Sequence, residues 1–160
     1  MAVAVSPPAA GRLAVQKITD YHLHLATRTD APAIRSRADL RGRPVVGYIP
    51  DMIFDKELDY LGELGAQGVQ LASNSVSVQL QMLRHAGVGF VHDFILPFAP
   101  ELSRVLTDEI SLRRSFYLVR HTSDRQSDRL SRFAAALTTG MQAEVARLER
   151  IARLTASPLV

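Results

Sequence analysis

An α/β fold built on parallel strands is what this sequence predicts, and two observations carry that prediction. The segment VQLASNSVSVQLQMLRHAGVGFVHDF, from Val69 to Phe94, reads as a strand, a capped helix and a second buried strand in a row. Upstream, the apolar run Val45 to Ile49 is followed by Pro50-Asp51 and by Phe54, Leu58, Leu61 and Leu64 at helical spacing, which gives a further strand-helix unit. Two such units in succession imply a parallel sheet joined by right-handed crossovers.

The elements follow in order. Ala2 to Val5 is a short strand cut by Ser6-Pro7-Pro8, and Leu13 to Ile18 and Tyr21 to Ala26 read as two more strands. In the second of these, Tyr21, Leu23 and Leu25 alternate with His22 and His24. Thr27 to Arg43 is polar, Pro-bearing and rich in Arg, so it reads as a loop with a short helix at Arg37 to Leu40. Gly62, Gly65 and Gly68 punctuate the return to the strand at Val69. Ser73, Asn74 and Ser75 then offer N-cap side chains to a helix whose Val76, Leu80 and Leu83 share one face, and Gly87 stops it. After Phe94 the chain turns through Pro97 and Pro100. Leu102 to Leu106 is a short strand and Ser115 to Arg120 a better one. From Ser127 a long amphipathic helix carries Leu130, Phe133, Leu137, Met141, Val145, Leu148 and Ile151 on one side, with Gly140 as a point of bending or close packing.

Composition narrows the function. At 160 residues and 47% hydrophobic, the chain suffices for one domain or two small lobes with a real core. The absence of Cys excludes disulfides, thiol catalysis and Cys-ligated metals. The start, MAVAVSPPAAGR, lacks the features of a signal peptide, and no apolar run is long enough to span a bilayer, so a soluble, unexported chain is expected. The net charge of +3 comes from 19 basic against 16 acidic residues. Nearly all the basic residues are Arg dispersed among acids, as in Asp124-Arg125 and Asp128-Arg129, which is the pattern of a solvated face and not of a nucleic-acid surface.

Chemistry-bearing residues are few. A parallel crossover puts the start of the helix at the carboxyl end of the preceding strand, where open α/β sheets bind ligands. Free backbone N–H groups and hydroxyls at Ser73, Asn74 and Ser75 suit an anion such as a carboxylate there, although a simple helix cap explains the same residues. His22 and His24 form an H-x-H pair, but no third metal ligand is near. His85 lies near a helix C-terminus, where the dipole accounts for it. His92-Asp93 follows a buried strand at the ligand-binding edge and is the best acid/base candidate, yet it lacks a nucleophile. No Ser sits in G-x-S-x-G, and the Gly62 to Gly68 stretch matches neither a Walker loop nor G-x-G-x-x-G.

Five segments in register carry a family resemblance: ADLRGRPVVGYIPD, ELDYL, LASNSVSVQLQMLRHAGVGFVHDFI, LSRVL and RRSFYLVRHTSDRQSDRLSRFAAAL. Together they resemble the effector-binding domain of LysR-type transcriptional regulators, and MAVAVSPPAAGRLAVQKITDYHLHLA is similar to that family's hinge entry. The resemblance implies a periplasmic-binding-protein type II-like fold, with two lobes of Rossmann-like sheet and a small molecule held between them. Residues 1–26 would then be part of the first lobe and the hinge entry, 27–94 the second lobe, and 95–160 the hinge return, last strand and C-terminal helix of the first lobe. By position, Ser73, Asn74 and Ser75 match the cleft-facing helix start. Gly47, Tyr48 and Ile49 match the neighbouring strand end, and His92, Asp93 and Phe94 match the strand that returns toward the hinge.

The resemblance further implies a small-molecule sensor without catalysis, cofactor or metal, located in the cytoplasm and assembled as a homodimer or higher oligomer, and the donors at the helix start favour a small organic acid as the ligand. Against the family pattern the chain starts inside the domain, with no helix-turn-helix, no linker helix and an incomplete first lobe. It is therefore expected to reach DNA only through a domain it does not carry, and to expose strand edges that favour pairing with another chain. An enzyme or solute-binding protein on the same cleft fold, with His92 as base and Asp93 as its orienter, is the competing reading, and a ligand-free dimerisation fragment is a third.

Overall fold

The computed structural model describes residues 1–8, 11–53, 60 and 68–155, without the side chains at 125 and 126. The strands are β1 (Ala2–Ala4), β2 (Leu13–Arg28), β3 (Val45–Gly47), β4 (Leu71–Ala72), β5 (Val88–His92), β6 (Leu102–Arg104) and β7 (Ser111–His121). The helices are α1 (Val76–His85) and α2 (Asp128–Thr155). All seven strands form one mixed sheet in the order β1-β7-β2-β5-β3-β4, with β6 also paired to β2.

β3 pairs in parallel with β4 on one side, through Val46 opposite Leu71, and with β5 on the other, through Val45 opposite Val88. The parallel core expected from the two strand-helix units is therefore present, and α1 is the crossover between β4 and β5. Gly87, at φ +86, takes the left-handed conformation that lets the chain leave α1 and enter β5, where Gly89 packs against the Val46 carbonyl. Leu83 on α1 is fully buried against this sheet, and Val76 and Leu80 flank it half-buried. The other pairings are antiparallel, and the longest joins β2 to β7 from Leu13 opposite His121 to His24 opposite Ser111.

β2 corrects the sequence reading, which saw two strands here. It is a single strand of 16 residues with a register shift between Lys17 and Thr19. Asp20, a residue strands disfavour, interrupts the apolar pattern but is held by Lys17 at 2.6 Å, by the Ser115 hydroxyl at 2.5 Å and by Arg113. Alternation along β2 puts Tyr21, Leu23 and Leu25 into a cluster with Val45, Val88, Phe90, Ile110 and Leu112. Ala26 belongs to a second cluster with Val46, Leu83, Val91, Leu96, Leu102 and Ala152.

Other expectations shift by a few residues. The strand placed at Val69 is only Leu71–Ala72, and β7 begins at Ser111. After Pro50 only a single 3-10 turn, Pro50–Met52, is described; the helical spacing Phe54, Leu58, Leu61, Leu64 and the glycines at 62 and 65 lie outside the described residues. α2 runs unbroken for 28 residues, and a Cβ at Gly140 would meet nothing within 4 Å, so that glycine is not there for close packing. The buried stripe of α2 runs through Ala134, Thr138, Val145, Leu148, Glu149 and Ala152, while Phe133, expected on that face, is exposed. The boundaries drawn at 26/27 and 94/95 fall inside β2 and inside the 3-10 turn Asp93–Phe98.

Candidate functional site

The parallel pairing of β3 with β4 and β5 sets the carboxyl ends of three strands side by side, and each delivers residues the sequence had singled out. Gly47, Tyr48 and Ile49 leave β3. Ser73, Asn74 and Ser75 lie between β4 and α1, and His92 closes β5. Two bonds fix the first two groups to each other: the Ser73 N–H donates to the Gly47 carbonyl at 3.0 Å, and the Ile49 N–H to the Asn74 side-chain oxygen at 3.2 Å. Asn74 is thus spent on the loop after β3 and does not cap α1.

Ser75 occupies the N-cap position with an extended backbone but makes no side-chain cap bond. Its own N–H donates to the Ser73 hydroxyl at 3.1 Å, and the amide of Gln79, buried in the second turn, donates to the Ser73 carbonyl at 2.5 Å. The first-turn N–H groups of α1, which no helix can satisfy internally, are therefore left without a cap from Ser75, next to two exposed side chains, Asn74 and Ser75. The positive end of the helix dipole adds to their attraction for a negative group.

A wall of rings reaches the same sheet edge through Tyr48 and His92. Tyr21 stacks on Phe116 with centroids 4.3 Å apart and meets His92 at 5.3 Å and Phe94 at 5.7 Å; His92 lies 5.1 Å from Phe94. Tyr48, Tyr60 and Phe90 continue the wall at 5.9 and 5.4 Å, and the Arg114 guanidinium lies over the Tyr60 ring at 5.8 Å. Burial among these rings pushes the His92 imidazole down to about 4 against the opposing pull of the Asp93 charge, so the ring is neutral near pH 7. Its Nδ1 is buried with no hydrogen-bond partner. Burial also raises the Tyr48 phenol above its ordinary value.

Asp93 is the predicted site residue that the fold does not bring here. Alternation after β5 turns its carboxylate to the other face of the sheet, where it is fully buried between His24 Nδ1 at 2.8 Å and Arg104 Nη1 at 3.1 Å. It cannot orient His92 as a catalytic base. The H-x-H pair is likewise engaged, His24 by Asp93 and His22 by Glu149 of α2, which takes the His22 backbone N–H at 2.7 Å and approaches its ring at 3.1 Å. Among the described residues no three His, Cys, Asp or Glu side chains gather to hold a metal. Sequence reasoning missed Phe116 and Tyr60 as wall residues, and Arg104 and Glu149 as partners of buried groups. Only Tyr21 carried a signal, through its alternation with Leu23 and Leu25.

Comparison with known proteins gives the following. A family model described as the LysR substrate binding domain matches residues 1–142. No curated protein matches the chain in sequence. Among solved structures, the fold is similar to an H2O2-bound mutant of OxyR from Corynebacterium glutamicum, with a TM-score of 0.65 and 18% identity over 93% of this chain and 51% of that one. It is similar to the regulatory domain of CrgA from Neisseria meningitidis, with a TM-score of 0.70 and 15% identity over 86% of this chain and 73% of that one. It is also similar to the regulatory domain of CcmR from Synechocystis PCC6803 in complex with 2-PG, with a TM-score of 0.65 and 18% identity over 86% and 71%. The chain spans about half the length of the OxyR chains it matches, and at these identities the likeness is one of fold.

Proposed function

The chain belongs to the LysR substrate-binding domain family, and from that premise we propose that it is the small-molecule sensing part of a transcription regulator and takes a small organic acid at the carboxyl ends of β3, β4 and β5. One observation carries this reading. The same sheet edge carries the uncapped first-turn N–H groups and the hydroxyls at the start of α1 and, through Tyr48 and His92, a wall of aromatic rings, which together suit a carboxylate and the apolar body attached to it. Gly47, Tyr48, Ile49, Ser73, Asn74, Ser75, His92 and Phe94 form that surface in our reading, with Asp93 supporting it from behind. That the CcmR regulatory domain, of similar fold, is in complex with 2-PG agrees with a small-molecule ligand.

The sensing role needs no chemistry from the protein, and we infer none. A base at His92 would be neutral, but its only adjacent carboxylate is committed to His24 and Arg104. A ligand here acts by favouring one arrangement of the chain over another, which then biases how copies of the regulator assemble and present a DNA-binding domain carried elsewhere. Residues 27–94 serve as the ligand-holding lobe in this scheme, with residues 1–26 and 95–160 leading into and out of it. A cytoplasmic dimer or higher oligomer is the setting that goes with it. No helix among the described residues is long and apolar enough to cross a membrane.

The test is a thermal melt of the 160-residue chain against a panel of small aromatic and aliphatic acids, since a ligand that binds only the folded state raises the midpoint by mass action. A dose-dependent rise with one acid, lost in Ser75→Leu, is the expected result. A cooperative melt that no acid shifts would overturn the proposal.

A further inference from the structure

Behind the sheet, on the face where Asp93 meets Arg104, lies a cavity of about 450 Å³, within the range of sites that hold small molecules. Leu96, Pro97 and Pro100 from the chain after β5 and Ile151 from the last turns of α2 form its apolar walls, and Ser103 and Arg104 of β6 supply polar groups. Arg104 is only 11% exposed. Its Nη1 donates to Asp93 at 3.1 Å and its Nη2 to the Ala152 carbonyl at 3.4 Å, but its Nε is buried without a hydrogen-bond partner. A buried guanidinium N–H left unanswered is costly, and a small turn of this side chain toward the cavity would let an acceptor atom there answer it.

The charges around the cavity decide what that acceptor can be. Arg104 is already faced by the Asp93 carboxylate and by the C-terminal end of α2, whose carbonyls at Ile151 and Ala152 carry the negative end of the helix dipole. Asp93, which His24 also holds at 2.8 Å, and the helix C-terminus both face Arg104, so the charge of the guanidinium is already answered and needs no anion from the cavity. We propose that this cavity is a second small-molecule site, distinct from the strand-end site, and that it takes a compact uncharged amphiphile: an apolar ring or chain bearing a carbonyl or ether oxygen directed at Arg104 and the Ser103 hydroxyl.

The two sites differ in ligand charge, and this makes them separable in one experiment. Amide shifts of the isotope-labelled full chain are followed during titration with benzamide or acetophenone, and separately with benzoate. The neutral compounds are expected to give saturable shifts centred on Thr29, Ser103 and Ile151, lost in Ser103→Leu and in Thr155→Trp; the latter changes an exposed residue at the cavity wall and leaves the fold intact. No saturable shift with either neutral compound up to millimolar concentration overturns the proposal. Shifts that persist in both variants, or a cavity that prefers benzoate, overturn it equally. Benzoate shifts centred on Ser75 report on the strand-end site alone and leave this result unaffected.

Discussion

His92 ties the ring wall to the pH dependence of folding, and the structure sets the size of the effect. The imidazole is held at about 4 in the folded chain and titrates near 6.5 when unfolded, so between these values the unfolded state binds the extra proton. Stability attributable to this group is fully present above about pH 6.5, falls as the pH drops through that window, and levels off below about pH 4. At about 1.4 kcal/mol per unit, the loss amounts to about 2 kcal/mol at about pH 5 and about 3 kcal/mol at about pH 4. The ring is mostly but not wholly buried, so solvent screening trims these figures without removing them. The assay is urea unfolding of the parent chain and of His92→Phe across this range. The variant keeps a ring against Tyr21 and Phe94 but cannot protonate. The difference in unfolding free energy between the two should swing by about 2 kcal/mol between about pH 7 and pH 5 in favour of the variant, while other titrating groups cancel. A difference that stays flat across that interval would refute the reasoning.

Three further outcomes are expected. Gly89→Ala should lower stability by about 3 kcal/mol or prevent folding, because the new Cβ would lie 2.6 Å from the Val46 carbonyl oxygen and 3.2 Å from its Cβ; a parent-like denaturation midpoint would contradict the packing of β5 against β3. Leu83→Ala should cost about 2–5 kcal/mol in urea unfolding, since this side chain is 1% exposed between α1 and the sheet. Asp93→Asn should cost about 3–5 kcal/mol by stranding Arg104 and His24 in the interior, whereas Asp30→Asn, at an exposed pair with Arg28, should leave the midpoint where it was.

What could be read from the sequence was what repeats over short distances. The strand-helix-strand unit at Val69 to Phe94 was legible because Val76, Leu80 and Leu83 keep helical spacing and Gly87 marks the exit, and the structure places α1 and β5 there. The short helix at Arg37 to Leu40 was legible too. β2 was misread as two strands because Asp20 interrupts the apolar alternation, and the groups that satisfy it, Arg113 and Ser115, are more than ninety residues away. Long separation also hid Glu149, 127 residues from His22, while Arg104, only 11 residues from Asp93, was hidden by the turn between them, which carries no periodic pattern. Phe133 was placed on the wrong side of α2 because a large apolar residue outweighed Ala134 and Thr138 in the pattern, and it is the small pair that packs down. Of the candidate site, the strand ends and helix start were legible, and the direction of Asp93 was lost at the turn that ends the alternation.

β2 has a mechanical consequence. At about 3.3 Å per residue, its 16 residues reach roughly 50 Å, and β7 lies beside it for most of that distance. Between Thr19 and His22 only β2 and β7 are paired, and such a two-stranded ribbon yields mainly by changing its twist, most readily at the bulge beside Lys17, where the ladder is already interrupted. Reorientation of one end of this sheet relative to the other is therefore wound into the ribbon along its length. The angle delivered at Leu13 and His121 is then set by how stiff the ribbon is, in the manner of a torsion bar.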